Sequence, residues 1–151
     1  MEKLQKEGLT RNIGVSNFRK SHLQNLLSKV HIVPSINQIE TNPQMVDEET
    51  IQYCKENKIG VEAWSPLGSG ACLNNPKIQE IANKYQKSSA QIILRWLLQK
   101  GIVILPKSVH ENRIKENIDL FNFVLENEDV ELINQLNQHK RTGPDPDNFD
   151  F

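Results

Sequence analysis

Cysteine is scarce in this sequence, and long hydrophobic runs are absent. The 151 residues include two cysteines, Cys54 and Cys72, and neither lies in a C-x-x-C or histidine-rich context that would indicate a metal site. Free thiols without a disulfide pattern fit a reducing cytoplasm, which is the location that we predict. No apolar run approaches the roughly 20 residues that cross a bilayer. The polar start MEKLQKEGL is not typical of a signal peptide, so we expect no membrane contact.

An excess of charge of one sign is also lacking. The chain has 18 basic and 19 acidic side chains, and its formal net charge is −1. Because nucleic-acid-binding proteins usually carry a basic surface, no nucleic-acid partner is predicted. The sequence contains no G-x-G-x-x-G motif, which disfavours the doubly wound dinucleotide-binding fold. The length is sufficient for a single domain with a hydrophobic core, which we predict over residues 1–151.

Four short apolar runs, separated by helical patterns, predict an α/β fold. The strands are predicted at Arg11–Val15, Ser35–Glu40, Ile59–Ser65 and Gly101–Leu105. The helices are predicted at Met1–Glu7, Arg19–Val30, Asp47–Asn57, Lys77–Tyr85, Ala90–Gln99, from about Asn112, and at Glu128–Asn137. No hairpin signal separates the strands, so the sheet should be parallel. Either an open doubly wound sheet or part of a (βα)8 barrel would fit, and residues 139–151 should form an irregular tail.

The segment IVILPKSVHENRIKEN, residues 102–117, combines a strand end, a basic loop and a helix start. Three side chains that suit a phosphate group follow the strand: Lys107, Ser108 and Arg113. The free amides and positive dipole end of a helix attract phosphate, and basic side chains add direct ionic contacts. Glu116 and Asn117 follow Arg113 by three and four residues, so they lie on the same helix face as Arg113 and could contact an amino-purine. The alternative is an ordinary strand–loop–helix with a solvated basic rim.

Polar and aromatic side chains lie at the carboxyl ends of the other predicted strands. They are Ser16, Asn17, Gln38, Trp64 and Ser65. Because the carboxyl ends of parallel strands meet at one edge of a sheet, these side chains should lie close together. Amide and hydroxyl groups can hold a carboxamide, and an indole can stack on a planar ring. Together with a phosphate site, this set indicates a nicotinamide dinucleotide.

Each of these residues also has a purely structural interpretation. Ser16 and Asn17 could form a capping turn before the next helix. Gln38 could be a satisfied polar group within a strand, and Trp64 could pack in the core against a helix. The convergence of all of them with the phosphate-binding segment is what favours a cofactor site.

Five motifs of the chain match those of one known family. They are IGVSNF (13–18), NQIE (37–40), EAWSPLGSG (62–70), ILPKSVHENRIKEN (104–117) and GPDPDNFDF (143–151). The chain resembles the carboxyl-terminal half of an aldo-keto reductase, similar to the bacterial-type 2,5-diketogluconate reductases. The resemblance implies strands five to eight of a (βα)8 TIM barrel, as a half or truncated barrel, and it implies NADP(H) as the cofactor.

The resemblance also implies a role for each candidate cofactor-binding residue. Those that would hold the nicotinamide carboxamide are Ser16, Asn17 and Gln38. Trp64 would stack on the nicotinamide ring. Those that would line the pyrophosphate are Ser65, Leu67 and Ser69. Those that would surround the pyrophosphate and the 2′-phosphate are Lys107, Ser108, Val109 and Arg113. Those that would face the adenine are Glu116 and Asn117.

No catalytic residue is predicted, because the family's catalytic Asp, Tyr, Lys and His belong to the barrel half that this chain does not resemble. Tyr53 and Tyr85 fall within predicted helices, and Glu40 has no basic partner near it in sequence. Reduction of a carbonyl by hydride needs an acid to protonate the alkoxide. The chain alone is therefore expected to be inactive, and a carbonyl substrate is expected only if the missing half is supplied. Met1 matches an internal position of the family, which suggests a truncated chain.

Two function hypotheses follow. The first is the NADP(H)-binding part of an aldo-keto reductase that reduces aldehydes or ketones to alcohols. The second is a non-catalytic dinucleotide-binding or interaction module. A phosphosugar-binding barrel fragment, which would use Lys107 and Arg113 without Trp64 or Gln38, ranks last.

A half-barrel would leave two strand edges unpaired, and open edges are templates for pairing with another chain. We expect five side chains to form an apolar open face: Ile13, Val15, Ile36, Val61 and Ile104. The isolated chain is therefore predicted either to pair edge to edge into a two-fold homodimer that approximates a closed barrel, or to aggregate.

Overall fold

A computed structural model of the chain describes residues 1–148. The end of the predicted tail, Phe149, Asp150 and Phe151, lies outside the described residues. A four-stranded sheet has the order β1-β2-β3-β4, and each neighbouring pair is parallel. The strands are β1 Val15–Ser16, β2 Ile36–Glu40, β3 Gly60–Trp64 and β4 Val103–Ile104. The predicted α/β fold with a parallel sheet is confirmed.

The helices lie between and after these strands, in the predicted order. They are α1 Glu2–Lys6, α2 Lys20–Leu27, α3 Glu48–Glu56, α4 Pro76–Tyr85, α5 Ser89–Gln99, α6 Glu111–Ile118 and α7 Asn127–Asn134. A short 3₁₀ turn, Gly68–Gly70, follows β3. Residues 139–148 contain turns and bends without a helix or strand.

The start of α5 is set by a reciprocal pair of hydrogen bonds. Ser88 Oγ accepts from the Gln91 backbone amide at 3.2 Å, and the Ser88 backbone amide donates to the side-chain Oε1 of Gln91 at 3.1 Å. The sequence S-x-x-Q predicts this capping box, which satisfies two backbone amides that the helix leaves free. Ile92, Ile93 and Trp96 are then completely buried, so α5 is the central helix of the hydrophobic core.

The two edge strands are shorter than predicted. The strand predicted at Arg11–Val15 is observed as β1, Val15–Ser16, and the strand predicted at Gly101–Leu105 is observed as β4, Val103–Ile104. Among the described strands, β1 is hydrogen-bonded to β2 and β4 to β3, each along one side. A single set of backbone hydrogen bonds therefore defines the length of each edge strand. Leu105 still donates to the Ala63 carbonyl at 3.3 Å, but Pro106 has no amide with which to continue.

The two faces of the sheet differ in polarity because side chains alternate along a strand. Val61 and Ala63 of β3 are buried in the core, which the helices cover, and Val15 and Ile104 pack against it. The opposite face carries two apolar side chains, Ile36 and Val103. Its other side chains are polar or aromatic: Ser16, Gln38, Glu40, Glu62 and Trp64.

The predicted apolar open face is therefore wrong for Val15, Val61 and Ile104, which face the helices, whereas Ile36 lies on the open face as predicted. A strand reverses its facing at every residue, and the apolar residues of β3 occupy the positions that point toward the helices. Pairing of a second copy through the edges stays a prediction, since β1 and β4 are the edges of the sheet. No helix in the described part of the chain is long and apolar enough to cross a membrane.

Candidate functional site

A groove of about 750 Å³ lies at the carboxyl ends of β3 and β4. The loop after β3 lines one wall with Ser65, Leu67 and Ser69. The loop after β4 and the first turns of α6 line the other wall with Lys107, Ser108, Arg113, Glu116 and Asn117. Apart from Val109, the groove thus gathers the residues that are expected at the phosphate and adenine end of a dinucleotide. The fold brings them together from segments about 40 residues apart, as expected for neighbouring parallel strands.

The wall after β3 is built from serines in an unusual backbone conformation. Ser65 has φ 49° and Ser69 has φ 53°, both in the left-handed region that non-glycine residues rarely adopt. The Ser69 amide donates to Ser65 Oγ at 3.1 Å, which holds the turn. A Cβ at Gly68 would lie 2.8 Å from Cys72 Sγ, so glycine is required there. Such conformations are commonly found in ligand-binding loops.

The wall after β4 presents two cations without carboxylate partners. Lys107 and Arg113 are exposed, and within residues 1–148 neither forms an ion pair. Ser108 Oγ accepts from the His110 amide at 3.1 Å, just before α6 begins. Free cations beside helix amides that lack intrahelical partners provide a favourable environment for a phosphate group.

The far end of this wall is tied to the capped start of α5. Ser88 Oγ donates to Glu116 Oε1, so the residue that caps α5 also orients the groove carboxylate. Val109, which the resemblance places near the phosphates, does not line the groove, and its side chain is 74% exposed.

The residues expected at the nicotinamide end also contact one another. The Asn17 backbone amide donates to the Gln38 backbone carbonyl at 2.9 Å, and Ser16 Oγ donates to the same oxygen at 3.2 Å. Gln38 Nε2 donates to Glu62 Oε1 at 2.5 Å on the open face of the sheet. Asn17 has φ 58°, a third left-handed residue among the candidates. Ser16 and Asn17 line a separate cavity of about 590 Å³.

Trp64 connects the two groups of candidates, because it ends β3 directly before Ser65. Its Nε1 donates to Asn17 Oδ1 at 2.8 Å, and its ring is half-buried outside the hydrophobic core. The alternative of core packing is therefore wrong. A Cβ placed on Gly143 would lie 2.4 Å from Trp64 Cη2, so the backbone at Gly143 packs against the six-membered part of the indole.

Gly143 belongs to a segment, residues 141–148, that we call the strap. The strap lies over the carboxyl ends of β2 and β3, where Thr142 donates to Glu40 through its amide and its Oγ1, each at 2.6 Å. Arg141 Nη1 is 4.0 Å from Glu40 Oε2. Glu40 has no basic partner near it in sequence, as predicted, but the fold brings Arg141 to it from about 100 residues away. The glycine followed by proline at 143–144 is a local signal that the chain turns here.

The tyrosines are placed as the sequence predicts. Tyr53 lies in α3 and Tyr85 in α4. Tyr85 donates to Asp129 Oδ2 at 2.6 Å, which links α4 to α7. Burial raises the pKa of Tyr85, and the adjacent Asp129 carboxylate raises it further. Within residues 1–148, no tyrosine or histidine stands at the carboxyl end of a strand, and no cluster of metal-binding side chains occurs.

Comparison with known proteins identifies the family. A family model for the aldo/keto reductase family matches residues 1–138. The chain belongs to the aldo/keto reductase family. It is 51% identical to the uncharacterized oxidoreductase YtbE of Bacillus subtilis over 151 residues, which are 100% of this chain and 54% of that protein. It is 49% identical to glyoxal reductase of Bacillus subtilis, covering 100% of this chain and 55% of that protein.

A third relative and two solved structures extend the comparison. Methylglyoxal reductase DkgA of Escherichia coli is 44% identical over 99% of this chain and 55% of its own length. The structure of Gox0644 without ligand superposes with a TM-score of 0.96 at 38% identity, covering 99% of this chain and 56% of that one. A Bombyx mori aldo-keto reductase in complex with NADP has a TM-score of 0.90 at 41% identity, covering 97% of this chain and 51% of that one.

The chain thus spans about half the length of the relatives that it matches. Its parallel sheet and helices superpose on part of aldo-keto reductase barrels, and solved members of the family contain NADP or NADPH.

Proposed function

We propose that this chain is the cofactor-binding, carboxyl-terminal half of an NADP(H)-dependent aldo-keto reductase. The observation that carries the proposal is the groove, in which Lys107 and Arg113 form no ion pair with any residue of 1–148 and lie opposite the left-handed serines Ser65 and Ser69. The NADP and NADPH complexes of family members support this choice of cofactor. In this proposal, the four strands of this chain correspond to strands five to eight of the full barrel.

In the proposed role, the groove holds the phosphates and the adenine. Lys107, Ser108 and Arg113 take the 2′-phosphate and the pyrophosphate, since all three line the groove beside the first turns of α6. The serines of the opposite wall take the remaining pyrophosphate oxygens through hydroxyl and amide groups. Glu116, which Ser88 orients, and Asn117 face the adenine.

The nicotinamide end is formed by the cluster around Trp64. Ser16, Asn17 and Gln38 offer the donors and acceptors that a carboxamide needs, and Trp64 offers the ring surface. When bound, NADPH supplies the hydride, and this chain's own residues bind and orient it. The names glyoxal reductase and methylglyoxal reductase favour small aldehydes as substrates.

The chain by itself is proposed to lack the reduction step. Protonation of the forming alkoxide needs an acid close to the carbonyl, and the described tyrosines lie in helices away from the strand ends. Lys107 would be occupied by phosphate. A complementary half of the barrel would have to supply the acid. The two free thiols, whose pKa values burial raises, fit a protein of the reducing cytoplasm.

A second candidate function is a non-catalytic dinucleotide-binding or interaction module. It is favoured by the strap, which covers part of Trp64 and thereby restricts the nicotinamide end while the groove remains open.

Two assays on the 151-residue chain test the proposal. Titration with NADPH and NADH should show binding that prefers NADPH. Carbonyl reduction should stay at background for the chain alone, and should reach an ordinary enzymatic rate, on the order of 1 s⁻¹ or more, once a preceding barrel half is fused to it. Binding without turnover in the fused protein would favour the non-catalytic module, and failure to bind NADPH would overturn both.

A further inference from the structure

Glu40 is a buried carboxylate whose partners come almost entirely from the strap. It is the last residue of β2, and its side chain is 0% exposed. Thr142 supplies two donors at 2.6 Å, and the Gly143 amide supplies a third at 3.4 Å from Oε2. Asn42 Nδ2, at 3.5 Å, is the one contact from outside the strap among the described residues. Because a buried charge is costly unless donors satisfy it, Glu40 and the strap stabilise each other.

These bonds set the distance between the strap and Trp64. Gly143 follows Thr142 directly, and its backbone packs against the indole so closely that a methyl group would not fit. Ser65 Oγ also lies 3.4 Å from Thr142 Oγ1, which continues the contact toward the groove. Trp64 is therefore held between Asn17 on its Nε1 side and the strap on its six-membered ring.

The other end of the strap is anchored separately. Arg19, which precedes α2, pairs with Asp145 at 2.5 Å and also with Asp147. His22 Nε2 lies 3.3 Å from Asp147 as well. This second attachment keeps the strap in place near β1, so a change at Glu40 is expected to loosen residues 142–143 without releasing the whole segment.

We propose that Glu40 is a positioning residue that holds the strap against Trp64 and so fixes the ring surface on which the nicotinamide rests. The proposal depends on the proposed function, because it assigns Trp64 to the nicotinamide. Glu40 itself is too deeply covered to contact the cofactor. Its effect is transmitted through Thr142 and Gly143, which connect the end of β2 to the indole.

The first test measures the strap without cofactor. The Glu40→Gln variant loses the negative charge, and its side-chain NH₂ group faces the donors of the strap instead of accepting from them. Hydrogen exchange at the Thr142 and Gly143 backbone amides should therefore accelerate by roughly ten- to hundredfold. This factor corresponds to the loss of one hydrogen bond to a charged group. Glu48→Gln is the matched control, because Glu48 is exposed and pairs with Lys100 away from the strap. Unchanged exchange in Glu40→Gln would overturn the proposal.

The second test follows the indole and the cofactor. With 5-fluorotryptophan the chain gives two ¹⁹F resonances, and Glu40→Gln should shift that of Trp64 but not that of Trp96, which is fully buried in α5. NADPH affinity should fall by roughly tenfold, again the loss of about one hydrogen bond. A rise in affinity would mean that the strap competes with the cofactor, and an unchanged affinity would mean that the strap is irrelevant to it. Either result would overturn the positioning role.

Gly143→Ala provides an independent route to the same displacement. It leaves the Glu40 carboxylate intact but forces the strap away from Trp64, so it should reproduce the ¹⁹F shift and the loss of affinity even if Glu40→Gln does not fold. A Trp64 resonance and an NADPH affinity unchanged in Gly143→Ala would overturn the proposal. If the unaltered chain does not bind NADPH, the proposed function fails, while the exchange and ¹⁹F results still decide whether Glu40 holds the strap.

Discussion

The two ends of the candidate site differ in whether their charged side chains are paired. At the groove end, Lys107 and Arg113 are exposed and have no carboxylate partner within the described residues. At the strap end, Arg19 pairs with two strap aspartates and Glu40 is surrounded by strap donors. Unpaired cations in a concave surface are available to an external anion, whereas paired charges already satisfy each other. The groove is thus suited to bind a ligand, and the strap end to hold the chain's own backbone.

The first prediction joins the two ends across a dimer, and it has the largest expected effect. Parallel pairing of β4 with β1 of a second copy would place the groove of one protomer beside the strap of its partner. We expect sedimentation at micromolar concentration to show a dimer. Val103→Lys on β4 should return it to a monomer, because a lysine blocks edge pairing.

Val33→Lys is the control for this dimer, since Val33 is exposed outside the sheet. A compact wild-type monomer that unfolds cooperatively and binds no ANS-type dye would contradict the prediction, and the two ends would then act within one chain.

The second prediction sharpens the contrast at the groove. Arg113→Ala should weaken NADPH binding by roughly 1.5–3 kcal/mol for each charge-assisted bond lost, and should change NADH binding far less. Lys115→Ala is the matched control, because Lys115 lies on the same helix but pairs with Glu111 at 2.6 Å and does not line the groove. Quenching of tryptophan fluorescence measures both affinities. Equal affinity of the unaltered chain for NADPH and NADH would rule out the 2′-phosphate assignment.

The third prediction concerns pH at the strap end, where the expected effect is smallest. The Asp147 amide, with further help from Asn148 and Arg19, lowers the pKa of Asp145 below its ordinary value of 3.8. A lowered folded-state pKa means that this contact stabilises the strap fully above pH 3.8 and is lost as the pH falls through the lower value. The Trp64 ¹⁹F resonance should therefore move only in strong acid.

Asp145→Asn is the comparison for this titration. It removes the titrating carboxylate, so the acid-induced movement of the Trp64 resonance should be reduced in the variant. A strap that loosens well above pH 3.8 would show that other groups control it.

The parts of the site that are local in sequence could be predicted. The capping box at Ser88, the helix order and the parallel sheet all depend on short patterns, and the structure confirms them. The groove residues after β4 are contiguous, so their approach to the loop after β3 follows from neighbouring parallel strands. The prediction placed Val61 of β3 on the open face of the sheet, but Val61 faces the helices. Neighbouring residues of a strand point to opposite faces, so an error of one residue reverses the assignment for the whole strand.

The sequence by itself determined the parallel βα order, the family and the contiguous segment that we propose for phosphate binding, because short-range apolar periodicity, turn residues and contiguous motifs specify each of them. Only the tertiary structure decided that Glu40 is buried under Thr142 and that Gly143 rests on Trp64. These contacts join residues about 100 positions apart. No local propensity encodes such a contact, because it forms only when the packed sheet and helices bring the two segments to the same place.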